Sequence, residues 1–336
     1  MLIAGDIGGT KTDLAIFSNE GGPHTPLAEA KFHSADYPSL QAIVKQFLAN
    51  TKKTVDRACF AVAGPVIGGQ VKTTNLPWVI EEISLARELN INLQSVHLIN
   101  DLEAIARAVP ILRPSDVHTI NAGVPVPKGA IAVIAPGTGL GESFLTWDGS
   151  RNLAHSSEGG HSDFAPTDAR QIRLLEYMLK KFDHVSFEHV CSGIGIPNIY
   201  GYLRDVEGIA EEPEVAAQMA SVVDPSFVII DQGTDPASRS KLCAATIELF
   251  ASILASEAGN VAVKFLATGG VYIAGGVATH TLHLLEQPTF MQRFKRKGRF
   301  SDLMGRIPVH VIVASAGLAG AAAYGLGDSI PEPVLS

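Results

Sequence analysis

Cysteine is scarce. Cys59, Cys191 and Cys243 are the only three in 336 residues, and they stand far apart. That spacing excludes a disulfide framework and any CxxC metal or redox motif, and a reducing compartment is the simplest setting. Charge is also thin: Asp, Glu, Lys and Arg make up 18 % of the chain against 46 % hydrophobic residues. A disordered chain has the opposite balance. Basic residues are outnumbered, 26 Lys and Arg against 34 Asp and Glu, for a net charge of −8. This argues against broad binding to nucleic acid or to anionic membranes. No basic segment precedes the first apolar run, which Asp6 interrupts, so a secretory leader is not expected. Residues 265–285 and 307–327 lack Asp, Glu, Lys and Arg for long enough to span a bilayer. Both hold several glycines, and the first holds His280 and His283. A buried strand, turn and packed helix is therefore the expectation for each. No low-complexity linker divides the chain. Its length suits two lobes or one large one, joined by short hinges, with ample core to bury.

What is present is a plan that occurs twice. Residues 1–7 are apolar, Gly8-Gly9-Thr10-Lys11-Thr12 follows, and residues 13–17 are apolar again, which reads as a hairpin around a glycine turn. Residues 28–32 form a third strand, and residues 39–50 place Leu40, Ile43, Val44 and Leu48 at helical spacing. Residues 57–62 read as a strand running into Ala63-Gly64-Pro65, and residues 66–74 as a second hairpin turning at Gly68-Gly69. A helix over 83–89, a buried strand over 96–99 and a helix over 102–108 complete this half. After Pro110 the plan restarts: a strand over 130–135, the turn Pro136–Gly141 and a partner strand over 142–147. Such duplication implies two related lobes. Helices are expected at 169–181, 188–190, 212–221 and 238–260, strands at 270–274 and 309–313, and a small-residue helix at 316–324.

Three strand ends thus carry glycine turns: Gly5–Thr12, Pro136–Gly141 and Gly269–Gly276. Glycine lets backbone N–H groups approach an anion. The first is a near miss to GxxxxGK[ST], with Thr10 where the second glycine belongs, and the second is GxGxG rather than GxGxxG. Any one alone reads equally as a tight hairpin. Asp6 beside glycines and Thr10 suits a hydrated Mg²⁺ on ATP phosphates. In order, Gly5-Asp6-Ile7-Gly8-Gly9-Thr10, Gly137-Thr138-Gly139-Leu140-Gly141 and Ala274-Gly275-Gly276 resemble the phosphate-1, phosphate-2 and adenosine segments of the sugar kinase, actin and Hsp70 superfamily.

Polar residues gather beside these turns. Asn100-Asp101 follows a strand and precedes a helix, so Asp101 either projects into a cleft or caps the helix. Glu158-Gly159-Gly160-His161 can converge two polar side chains on one ligand or form a solvated loop. Glu188 can be a ligand or an acid at a helix start. Taken together with Asp163-Phe164-Ala165-Pro166, His184-Val185-Ser186-Phe187-Glu188, Ala63-Gly64-Pro65, Thr74-Asn75 through Trp78, and Gly317-Leu318, they resemble bacterial glucokinases of the hexokinase-like type over nearly the whole chain.

That resemblance implies an α/β, two-lobe actin-like ATPase (ribonuclease H-like) fold, with ATP and sugar in the interlobe cleft. The small lobe would be residues 1–111 plus 314–336, the large lobe 112–313. It implies ATP-dependent phosphorylation of D-glucose, Asp101 as catalytic base, and Asn100, Glu158, His161 and Glu188 on the sugar hydroxyls. Gly5, Asp6, Ile7, Gly8, Gly9, Thr10, Gly137, Thr138, Gly139, Gly275 and Gly276 would bind ATP. Asp6 would hold Mg²⁺ through water. A cytoplasmic homodimer without nucleic acid or membrane partners is expected. A related kinase and repressor family binds zinc beside a similar His with a cysteine cluster. Cys191 stands alone some thirty residues on, so no structural zinc is expected, nor is a DNA-binding module, since Met1 opens into the first strand. Lys11 and Pro136 depart from the commonest pattern of the family. A kinase for another hexose, a polyphosphate-using glucokinase and a non-catalytic sugar sensor are the alternatives, the last disfavoured by Asp101.

Overall fold

The computed structural model describes residues 1–73, 76–238 and 240–327. Thr74 and Asn75, part of the sequence resemblance, lie outside the described residues, as do Arg239 and residues 328–336. The chain divides into two compact units. The first comprises Met1–Asp116, Arg151–His155 and the C-terminal segment from Ala314; the second comprises Val117–Ser150 and Ser156–Val313. Residues 112–116 and 151–155 therefore group with the first unit, where the sequence reading had put them in the second.

The first unit is built on β1 (Leu2–Ile7), β2 (Lys11–Phe17), β3 (Ala28–His33), β4 (Arg57–Val62), β5 (Gln70–Lys72), β6 (Val79–Glu81) and β7 (Val96–Asn100). Five of these form one sheet in the order β3-β2-β1-β4-β7. β1 runs antiparallel to β2 and parallel to β4, and β4 parallel to β7. Alternation along a strand sends successive side chains to opposite faces. Ile3, Ile7, Leu14, Phe60 and Leu98 pack on one face with Ile43, Val44 and Phe47 of the helix Leu40–Thr51. Leu2, Ala4, Ala15, Cys59 and Ala61 pack on the other, with Ala104 of the helix Asp101–Ala108 and Ala321 and Ala322 of the helix Ala316–Leu326. The last two helices touch there: a Cβ on Gly320 would overlap the Ala104 carbonyl.

The second unit repeats the plan with β8 (Val117–Asn121), β9 (Ile131–Pro136), β10 (Leu140–Trp147), β12 (Gly270–Ile273) and β13 (Val309–Ile312), while β11 (Asn152–Ser157) runs from one unit into the other. β10, β9, β12, β13 and β8 lie side by side in that order. β9 is antiparallel to β10 and parallel to β12, and β12 is parallel to β13. This is the pattern of β2, β1, β4 and β7, and the duplication read from the sequence is present in the strands. The core gathers around the helix Lys241–Phe265. That helix is long and apolar enough to cross a membrane, but 78 % of its most apolar window is buried within the fold. The two uncharged stretches become strands and packed helices: Gly270–Ile273, Gly276–His280, Val309–Ile312 and Ala316–Leu326.

Three expectations are corrected. Residues 188–190 form a turn, not a helix, because their amides bond back to neighbouring turns. The long helix starts at Lys241, where the Ser240 side chain caps it by accepting from Cys243 N. Residues 66–74 make only a one-bridge turn, Ile67 to Gln70, and β5 pairs with β6 instead.

Candidate active site

The site residues fall into two groups, one in each unit. In the first unit the β1–β2 turn is tied down by Ser34, a buried residue that sequence reading missed. Ser34 N donates to Thr10 O at 3.0 Å and its hydroxyl to Gly8 O at 2.9 Å, while Thr12 Oγ1 lies 3.0 Å from Ser34 Oγ. Gly8 N closes the turn on Lys11 O at 2.9 Å. Gly8, Gly9 and Thr10 thus present a fixed backbone. Gly5 and Ile7 turn their side-chain positions away from it. Both face the core: a Cβ on Gly5 would lie 2.6 Å from a Leu14 methyl, and Ile7 is buried in the same cluster. Strand alternation thus leaves only their backbone to face a nucleotide.

Asp6, between them, points to the other face. There it meets the start of the helix Ala316–Leu326, where a Cβ on Gly317 would overlap its Oδ2. Burial first, then the charges of Asp101 and Asp13, push the Asp6 carboxyl up to about 7, with Lys11 opposing. Asp13 sits directly across the ladder from Asp6. Its Oδ1 is buried without a hydrogen-bond partner.

Asn100, not Asp101, caps the next helix. Asn100 Oδ1 accepts from Leu102 N at 2.9 Å and from Glu103 N at 3.3 Å. Its Nδ2 donates to Gly64 O at 3.1 Å, and the same amide also hydrogen-bonds the Asp101 carboxyl. Asp101 is released from capping and becomes the first helical residue. Its Oδ1 accepts from Leu102 N at 2.9 Å, and burial raises its pKa against those hydrogen bonds.

In the second unit three segments are bound into one. Phe164 N donates to Val185 O, Phe187 N to Ser162 O and Glu188 N to Gly160 O, at 2.9, 3.0 and 2.9 Å. Glu188 then reaches the second glycine turn. Its Oε2 accepts from Leu140 N at 2.9 Å, in space that a Cβ on Gly139 would fill. His161 lies between two carboxylates, Nδ1 3.9 Å from Glu188 Oε1 and Nε2 3.9 Å from Glu158 Oε2. Glu158, His161 and Glu188 therefore converge. Gly193, also missed, holds the glycine turn from behind by donating to Gly137 O at 2.8 Å.

Beside that turn lies a cavity of about 210 Å³. Gly137, Thr138, Gly276, Ser226, Phe227 and Ile230 are among its walls. Gly275, at the start of the short helix Gly276–His280, has φ +91, and a Cβ there would sit 2.5 Å from Pro136 O. The second and third glycine turns thus meet at one cavity. Nothing in the sequence marks Phe227, whose helix Ser226–Thr234 carries no motif.

The glucokinase family model matches residues 3–327. The chain belongs to the glucokinase family. It is 40 % identical to a glucokinase of Nostoc punctiforme over 96 % of this chain and 98 % of that one. Among solved structures, a glucokinase from an Antarctic psychrotroph superposes with a TM-score of 0.79 at 32 % identity, covering 96 % of this chain and 98 % of that one. A glucokinase of Streptomyces griseus, solved with glucose and AMPPNP, gives 0.64 at 18 % identity over 96 % and 98 %, a likeness of fold alone. The fold is the two-lobe actin-like ATPase fold, as the resemblance implied.

Asn100 caps its helix, and substitutions separate that duty from the expected one on glucose. Asn100→Ala should cost about 1 kcal/mol of stability in urea unfolding, the usual loss of a cap, and weaken glucose binding. Asn100→Ser should restore the stability and not the binding. Equal recovery of both would show that Asn100 acts on glucose only through the helix.

Proposed function

We infer that this chain transfers the γ-phosphoryl group of ATP to D-glucose, giving D-glucose 6-phosphate, with Asp101 as general base. One observation carries the role of Asp101: the cap is supplied by Asn100, so the carboxylate beside it is desolvated and oriented without being needed to hold the helix. Phosphoryl transfer asks the protein for positioning, charge neutralisation and a group to take the hydroxyl proton. Burial raises the pKa of Asp101 and so strengthens it as a base. Glu158, His161 and Glu188 supply acceptors and donors for sugar hydroxyls, and the Asn100 amide, which bonds the Asp101 carboxyl, also serves a sugar hydroxyl. Gly8, Gly9 and Thr10, with Gly137, Thr138 and Gly139, offer backbone to phosphates. Gly275, Gly276 and the adjoining cavity take the adenosine, and the Phe227 wall favours a nucleotide donor over polyphosphate.

The residues fit Mg²⁺. Asp6 is a hard carboxylate ligand resting in the space a Gly317 side chain would fill. Mg²⁺ keeps several of its waters and takes one or two carboxylates, so Asp6 would hold it through water. Mg²⁺, when bound, would neutralise charge on the phosphates. The reading includes no structural zinc. It places the enzyme in the cytoplasm as a homodimer at the entry of glycolysis, without nucleic acid or membrane partners, and the acidic composition supports the last point.

Asp101→Asn keeps size and one hydrogen bond but cannot accept the proton. Its kcat should fall roughly 10²–10⁴-fold with glucose binding retained. More than about a tenth of wild-type kcat would remove Asp101 from the role of base.

Asp6 should release a proton when Mg²⁺-ATP binds. The free carboxyl, raised to about 7, is largely protonated at pH 6 and ionised at pH 9. Calorimetry in buffers of different ionisation enthalpy should find release at pH 6, none at pH 9, and none at either pH in Asp6→Asn. Equal release from Asp6→Asn would place the proton elsewhere.

A further inference from the structure

The turn that carries Glu158 and His161 rests on a buried acid pair that the reaction above does not use. Glu142 on β10 is 2 % exposed, and Glu257, within the helix Lys241–Phe265, is 0 % exposed. The two carboxyls face each other within hydrogen-bonding reach. Oε1 of each is buried and accepts no hydrogen bond from any nitrogen or hydroxyl. Two carboxylates this close in a dry setting cannot both be ionised, so one keeps its proton.

The surrounding charges decide which. From the same helix, Lys264 Nζ lies 3.6 Å from Glu257 Oε1 and Asn260 Nδ2 donates to Glu257 Oε2 at 2.8 Å. Lys297 donates to Asn260 Oδ1 at 2.6 Å and to Ser256 O at 3.0 Å. The buried Cys191 thiol, held protonated, faces both acids. The hydrogen bonds that favour an anion therefore fall on Glu257, and Lys264, whose charge reaches both acids, lies closest to it. Glu142 has instead the sugar turn: a Cβ on Gly159 would overlap its Oε2. A neutral carboxyl packs dry against that Cα. A charged one would draw in water and push the turn away.

We propose that Glu142 and Glu257 share one proton, carried by Glu142 at neutral pH, and that the neutral Glu142 carboxyl is the positioning surface that seats Gly159 and so aims Glu158 and His161. The second half rests on the sugar-binding reading of that turn; the first half does not. Burial, and then the charge of Glu257, hold Glu142 far above the ordinary carboxylate range. Its proton is therefore lost only as pH rises above neutrality, and the turn loosens in that direction.

Infrared spectra test the proton. In an Asp6→Asn background, which removes the other carboxyl raised to about 7, the protein at pH 7 should show the carbonyl stretch of a protonated carboxyl, absent once Glu142→Gln is added, and its presence there at full strength or its absence from the Asp6→Asn parent overturns the pairing. Steady-state kinetics at saturating Mg²⁺-ATP test the positioning. From pH 7 to pH 9.5 the wild-type KM for glucose should rise on the order of tenfold with little change in kcat. In Glu142→Gln, an isostere of the neutral acid, KM should stay low throughout. Glu257→Gln, which removes the like charge, should move the rise to lower pH. The same alkaline rise in Glu142→Gln, or an unmoved midpoint in Glu257→Gln, overturns the positioning role. A wild-type protein that phosphorylates no glucose overturns the sugar reading and the positioning role with it, while the infrared result still decides the proton.

Discussion

Carboxylates packed against glycine backbone are the constraint on which this structure depends. Asp6 fills the space of a Gly317 side chain, Glu188 that of Gly139, and Glu142 that of Gly159. In each case an acid rests where any residue larger than glycine would exclude it, and Glu142 is almost wholly cut off from water. Desolvation raises the energy of the charged form. A partner must then supply what water did: the Lys11 cation for Asp6, the Leu140 amide for Glu188, a shared proton for Glu142. A glucokinase-family enzyme needs charged groups that are dry and still aimed, and this arrangement provides both.

The duplicated sheet explains how few residues are needed. In each unit a hairpin begins the sheet, its first strand runs parallel to the next two, and the glycine turn lies at the hairpin's tip. Alternation then decides which turn residues serve a ligand. Gly5 and Ile7 belong to the core face, and Asp6 alone reaches the other. In the second unit Glu188 joins the second glycine turn to the sugar turn with one side-chain and one backbone hydrogen bond.

Much of this was legible in the sequence because strand, glycine turn and strand is a local pattern that reads the same twice. Asp101 and Glu188 were found through neighbouring motifs. The core-facing side of Gly5 was not legible, because a glycine at a strand end looks alike whether its Cβ position meets solvent or a Leu14 methyl. Asn100 and Asp101 are both good caps, and only the backbone places Asn100 a residue earlier, in extended conformation. Ser34, Gly193 and Phe227 were not legible. They act through contacts between segments distant in sequence, and serine, glycine and phenylalanine carry no distinctive chemistry alone. Glu142 stood in plain sight within β10, but its meaning depends on Glu257, 115 positions later.

The account turns on Glu188 coupling the second glycine turn to the sugar turn, and a single methyl group tests it. Gly139→Ala places a carbon where Glu188 Oε2 now lies, without touching any residue assigned to glucose except through that carboxylate. Calorimetric titration of the nucleotide-free protein with glucose should show an affinity at least about tenfold weaker, about 1.4 kcal/mol, with the thermal unfolding transition still cooperative. A glucose affinity equal to that of the wild type would contradict the coupling and leave the two turns independent.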